Sequence, residues 1–133
     1  MTARRSTGAY PDDWPELARS VKDAAQWCCI RCGHHHDPAT GYTLTVHHLD
    51  INPANRAWWN LLALCQRCHL SVQVRVYLDR PWVMAEHSEW FKPYVAGFYA
   101  RKYLGQDLTR DEVMERLPEL LELELQAVLG VAS

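Results

Sequence analysis

Residues 46–69 read VHHLDINPANRAWWNLLALCQRCH, and the interpretation of the whole chain turns on this stretch. It opens at the end of a short β-rich run, TLTVHH, which closes on His47 and His48. Residues 50–55, DINPAN, are turn chemistry throughout. A second apolar run follows Trp58 and ends at Cys65-x2-Cys68, with His69 next in line. Upstream, CCIRC supplies Cys29-x2-Cys32, separated from the second pair by 32 residues. Two thiol pairs at this spacing can surround one Zn²⁺ tetrahedrally and tie two distant segments together. Cys28 is the fifth cysteine, and only Cys29 gives the two-residue gap to Cys32.

The histidines and Asn60 have no place in a four-thiolate shell, so they point to a second, open site, the kind that does chemistry. His47 and His48 end a strand, where successive side chains point to opposite faces. One can bind a cation while the other faces a substrate or water. His69 directly follows Cys68, so the zinc site fixes its position. Histidines brought together from a strand end and a helix start suit one divalent cation with open coordination positions. The triplet His34-His35-His36 lies in the loop after the first cysteine pair and is expected to face solvent.

In this order of residues the stretch resembles the HNH endonuclease motif, in its zinc-knuckle form with flanking cysteine pairs. The paired histidines, the Asn60-Leu61 step and the C-x-x-C-H stand in the family's order, over roughly residues 27–80. The resemblance implies a ββα-metal fold related to treble-clef zinc domains, and hydrolysis of phosphodiester bonds in DNA to 5′-phosphate and 3′-hydroxyl ends. His48 matches the general base and His47 the metal ligand before it. Asn60 matches the asparagine that orders the loop and helps orient the base, and His69 matches the metal ligand on the helix. A single Mg²⁺ or Mn²⁺ is the implied catalytic cation, with Zn²⁺ or Ni²⁺ as substitutes. Many members carry a further histidine four residues after the last one, where this chain has Gln73, which leaves an amide oxygen or water in that position and favours a hard cation. The alternative reading is a treble-clef zinc module that binds DNA or a protein partner without cutting. Such a module needs the four cysteines and some arginines, but not His47, His48, Asn60 and His69 together.

At 133 residues the chain has the length of one domain with an appendage, and 48% hydrophobic residues is ordinary for a globular protein. No apolar run approaches a membrane span. The first sixteen residues lack the apolar core of a secretory leader, so a cytoplasmic protein is expected, with its thiols reduced and available to metal. The net charge of −2 argues against a purely electrostatic nucleic-acid binder. Residues 1–80 carry nine Lys/Arg against seven Asp/Glu, and residues 81–133 five against nine. Phosphate binding must therefore come from a local patch, for which Arg31, Arg56, Arg67 and Arg75 are the candidates.

The expected class is α+β: a small zinc-bound core with added α-helices at both ends. Residues 1–11 are expected as a mobile arm, 12–80 as the nuclease core and 81–133 as a helical extension packed on it. Helices are expected over residues 14–27, capped by Asp12 or Asp13, over 89–104, and from the Thr109-x-x-Glu112 capping box onward. After Cys68 two patterns conflict. Leu70, Val72, Val74, Val76 and Leu78 alternate as in a strand, whereas the motif requires a helix, and the helix is the reading adopted. Of Trp58 and Trp59, one is expected in the core. The acidic, leucine-rich end offers a surface to a protein partner or a second copy.

Overall fold

The computed structural model describes residues 10–75 and 89–129, without the side chains of 73–75 and of 128 and 129. It is a mixed helix and strand fold, and the described residues form two compact units. One comprises residues 10–56 and 60–75, and the other 57–59 and 89–129. The expected mobile arm lies mostly outside the described residues. Its last residues do not: Tyr10 packs its ring on Trp14 at 5.2 Å between centroids.

In the first unit, α1 spans Trp14–Ala24. Pro15 sits in its first turn, where a missing N–H costs nothing. Asp13 does not cap it; its carboxylate is taken instead by Arg56, with Nη1 donating to Oδ1 at 2.6 Å and Nη2 to Oδ2 at 3.0 Å. The helix stops short of the expected Trp27 because Gln26 and Trp27 both adopt left-handed backbone, φ 55° and 57°. Trp27 is anchored there by its indole N–H, which donates to Asp23 at 2.7 Å. This reversal sets Cys28 opposite His35 and presents Cys29 to the turn that follows.

Two strands, β1 (Leu44–His48) and β2 (Leu61–Cys65), pair antiparallel with Leu44 opposite Cys65 and His48 opposite Leu61. Every residue of β2 is buried, which accounts for an unbroken apolar run where a half-exposed strand would alternate. Leu44, Leu49, Leu61, Leu62, Leu64 and Val72 form the apolar heart of the unit. Then α2 runs Gln66–Arg75, a helix where the alternation of apolar residues suggested a strand. Cys68 and Val72, four apart, are buried on one face, while Leu70 is 66% exposed. One turn of helical spacing thus outweighs the period-two pattern.

The second unit is helical. It comprises α3 (Lys92–Tyr99), a wide turn over Ala100–Leu104 ending at Gly105, then α4 (Arg110–Glu115), α5 (Leu117–Leu121) and α6 (Leu123–Leu129). Both reciprocal bonds of the Thr109–Glu112 capping box are present, at 3.2 and 2.8 Å. Trp59 is buried against α3, where Gly97 leaves the room: a Cβ there would lie 2.8 Å from that of Trp59. Trp58 is half-buried and donates its indole N–H to Leu108 at 2.8 Å. Of the two tryptophans Trp59 is the buried one, as expected for one of the pair, and both belong to the helical unit. Among the described residues no helix is long and apolar enough to cross a membrane.

Candidate functional site

The first cluster is the cysteine quartet. The sulfurs of Cys29, Cys32, Cys65 and Cys68 all lie within 4.8 Å of one another. That is the separation four thiolates need to share one tetrahedral cation with metal–sulfur bonds of about 2.3 Å. Among the described residues it is the one group of three or more metal-ligating side chains drawn this close. Local backbone builds it. Gly33, at φ 80°, closes the first turn, and the N–H groups of Arg31 and Cys32 point at Cys29 Sγ, each at 3.4 Å. Ile30 N–H bonds the carbonyl of Ala63 at 3.0 Å, docking this turn onto β2. Cys65 closes β2 and Cys68 lies in the first turn of α2, so the hairpin delivers the second pair.

Electrostatics suit this cluster to a cation. Burial pushes the Cys68 thiol up to about 12. Burial also raises Cys29, but backbone N–H donors from Cys32, Cys65 and Arg31 outweigh it and bring that thiol down to about 7. Four thiolates cannot be ionised this close together without a positive charge among them, and a divalent cation supplies it. Arg31 adds to that charge, with Nη1 3.4 Å from Cys68 Sγ. These four cysteines could hold a metal such as zinc.

The second cluster is the histidine pocket. A cavity of about 290 Å³ is lined by Tyr10, Val46, His47, His48, Ile51, Pro53 and His69. The rings of His47 and His69 meet edge to face, 4.7 Å between centroids. His48 lies on the α1 side, against Trp14 at 4.8 Å and Tyr10 at 5.7 Å. Alternation along β1 thus sends the two histidines to different neighbours, and because the strand ends there both still reach the pocket. His48 Nε2 is buried and has no hydrogen-bond partner among the described residues. A buried ring nitrogen of this kind calls for a water or a ligand atom.

Burial, with the charges of His69 and His48 beside it, holds the His47 imidazole down at about 4. Burial lowers His48 as well, opposed in part by the carboxylate of Asp50, and burial lowers His69. All three are therefore neutral near pH 7, the form that accepts a proton or binds a metal.

Asn60 is buried beneath the loop that joins the histidines to β2. Its Oδ1 accepts from the backbone N–H of Asp50 at 2.7 Å and its Nδ2 donates to the carbonyl of Asn55 at 3.0 Å. Its own carbonyl accepts from Leu49 N–H at 2.9 Å. Asp50 caps the same loop, accepting from Asn52 N–H at 2.8 Å and from Asn55 Nδ2 at 2.6 Å. One side chain thus pins both ends of the turn that follows His48.

Of the candidate arginines, the three with described side chains do not gather at the pocket. Arg31 sits at the cysteines, and Arg56 is paired with Asp13. Arg67 lies over the Tyr42 ring at 4.5 Å, and His34 stacks on the same ring at 3.5 Å between centroids. The side chains of Gln73 and Arg75 lie outside the described residues. The histidine triplet is built into its loop: His34 and His35 each hold the next residue's carbonyl through Nδ1, and His36 Nδ1 accepts the N–H of Leu44 at 2.9 Å. Only His35 of the three is exposed.

Sequence reasoning missed Tyr10, Trp14, Ile51 and Pro53 around the pocket, and Thr45 beneath it. Thr45 alone left a signal, since it stands two residues before His47 and so shares its face of the strand. Comparison with protein-family models, with curated proteins and with solved structures returned no match for this chain.

Proposed function

We propose that this protein is a metal-dependent HNH-type DNA endonuclease or nickase, with β1, β2 and α2 as a ββα-metal, treble-clef-like core. The reading rests above all on one observation: His47, His48 and His69 line a single pocket, in which His48 Nε2 is buried without a hydrogen-bond partner among the described residues.

His48 is the general base. Kept neutral by burial, it takes the proton of a water that attacks the phosphorus of a phosphodiester, as the bond from phosphorus to the 3′ oxygen breaks. The products are a 5′-phosphate and a 3′-hydroxyl end. His47 and His69 fit a divalent cation, being two neutral imidazoles side by side. Mg²⁺ or Mn²⁺ held there, or Zn²⁺ or Ni²⁺ in their place, would offset negative charge on the phosphate and the leaving oxygen. Asn60 acts at one remove, holding the loop after His48 so that the base keeps its aim. Zn²⁺ at the four cysteines is structural and fixes Cys68, and with it His69.

DNA is the partner. Arg31 and Arg67 are exposed near the cysteine cluster and are the arginines best placed for phosphates; Arg56 would first have to leave Asp13. The acidic helical unit is suited to a protein partner or a second copy rather than to DNA. A thiolate-held zinc requires a reducing compartment, which favours the cytoplasm.

The test is relaxation of supercoiled plasmid by zinc-loaded protein with Mg²⁺ or Mn²⁺. The wild type should nick, and His48→Ala should lose about 100-fold or more of that rate while retaining zinc. Zinc-loaded wild type that binds plasmid but leaves it uncut with every divalent cation would favour the non-catalytic zinc module.

A further inference from the structure

Thr45 lies on β1 opposite Leu64, two residues before His47. Its hydroxyl oxygen is 2.7 Å from the carbonyl oxygen of Leu64 and 2.8 Å from His69 Nδ1. The chemistry of these three groups leaves one arrangement in which both contacts are hydrogen bonds. A carbonyl can only accept, and a hydroxyl has one proton to give. The Thr45 proton goes to Leu64, so toward His69 the hydroxyl oxygen can only accept. His69 Nδ1 must then carry its ring proton, and in the neutral imidazole the lone pair is left on Nε2.

We propose that Thr45 is a positioning residue: it locks His69 in the Nδ1–H form and so makes Nε2 the nitrogen offered to a divalent cation beside His47. The proposal deepens the reading of the pocket and rests on it for the cation. Metal-binding imidazoles commonly donate their second nitrogen to an oxygen, which sets both tautomer and ring direction, and loss of that oxygen costs about 10- to 100-fold in metal affinity. Here the oxygen is itself oriented by the β1–β2 ladder, through Leu64. The hairpin that delivers Cys65 to the cysteine cluster thereby also sets the proton on the next cluster's histidine.

The experiment records the long-range proton–nitrogen NMR correlations of His69 in zinc-loaded full-length protein at about pH 8, where the rings are neutral. Wild type, Thr45→Ser and Thr45→Val are compared, and each is then titrated with Mn²⁺ by calorimetry. The wild type and Thr45→Ser should show an unprotonated, pyridine-like Nε2. Thr45→Val, which keeps the shape and loses the hydroxyl, should move toward the Nε2–H form and bind Mn²⁺ about 10- to 100-fold more weakly. The serine variant keeps the hydroxyl, so it separates the hydrogen bond from damage to the fold. A wild-type His69 protonated on Nε2 would overturn the proposal, as would a valine variant with unchanged tautomer and Mn²⁺ affinity. A wild type in the Nδ1–H form that binds no Mn²⁺ would overturn the cation site, and the proposed function with it, while Thr45's hold on the ring stands.

Discussion

The cysteine cluster and the histidine pocket are built from the same hairpin and the same helix, yet they are chemical opposites. Cys68 and His69 are adjacent residues at the start of α2, and one turns to the thiols while the other turns to the pocket. At the cysteines, four like donors surround one point, backbone N–H groups support them and Arg31 offsets their charge. At the histidines, two rings touch, the third stands apart under Trp14, and its Nε2 has no hydrogen-bond partner among the described residues. A completed shell of ligands holds a structure together and has nothing left to offer a substrate. An incomplete one, set in a cavity, would under the proposed function have coordination positions and a base to spare. The contrast turns on whether the donors are complete more than on which residue types are present.

The largest expected effect lies on the cysteine side. Cys65→Ala, or removal of the metal by a strong chelator, should cost the first unit its cooperative fold, because structural zinc contributes binding free energy on the order of 10 kcal/mol to folding. Thermal unfolding followed by circular dichroism measures this. His69→Ala should leave zinc content and cooperativity in place. If both variants unfolded alike, the two clusters would not be separable and the comparison would fail.

Asn60→Ala probes the loop on the histidine side. It removes a buried side chain that makes two hydrogen bonds to backbone, and leaves Asp50 N–H and the Asn55 carbonyl without it. The expected loss is about 2 to 3 kcal/mol, read from denaturant unfolding. Zinc binding should be retained and hydrogen exchange should rise over residues 49–55. A loss below about 0.5 kcal/mol would remove Asn60 from the role of pinning the turn.

Acid sharpens the contrast further. The folded-state value of His47, about 4, lies below its ordinary 6.5. The unfolded chain therefore binds the extra proton first, and the stability contributed by neutral, buried His47 is complete above 6.5 and is lost as pH falls toward 4. The loss is on the order of 3 kcal/mol at most. Thiolates are protonated in acid as well, so the measurement is the difference in acid sensitivity between wild type and His47→Gln. The glutamine variant should lose less stability over this window; equal slopes would contradict the burial of His47.

The smallest effect belongs to Ile51, a β-branched residue at φ 63° and 71% exposed. The loop bonds of Asp50, Asn52 and Asn60 hold it in a region that costs a branched side chain about 1 to 2 kcal/mol. Ile51→Asn should relieve part of that strain and raise stability by about 0.5 to 1 kcal/mol, seen as a higher midpoint in denaturant. A lower midpoint would mean that the isoleucine side chain contributes packing that outweighs its backbone strain.

The two clusters were unequally legible in the sequence. The cysteine quartet could be read outright, because a two-residue gap between thiols constrains the local turn by itself. The histidines and Asn60 were legible as residues, through their spacing, but the pocket around them was not. Its walls include Tyr10, distant in sequence from His48 and unmarked by any motif, and a left-handed isoleucine that no propensity anticipates, while Trp14 backs the His48 ring. For α2 the adopted helix is the one found, against a period-two alternation that counts Leu70 as inward-facing; Cys68 and Val72 define the buried face. That one of Trp58 and Trp59 packs in a core was legible, but its partners were not, because sequence distance hides residues such as Gly97 and Leu108. The capping box at Thr109, a purely local device, was legible in full.

The most direct test of one closed and one open centre is a single titration on plasmid. Zinc-loaded protein is passed through a weak chelator, assayed for zinc, and then given increasing Mg²⁺ while nicking is followed. This account predicts stoichiometric zinc throughout, no nicking before Mg²⁺ is added, and nicking whose rate rises with Mg²⁺ and which stops when Mg²⁺ is removed. Zinc that departs with the weak chelator, or nicking that follows zinc content and ignores Mg²⁺, would contradict the division of labour between cysteines and histidines.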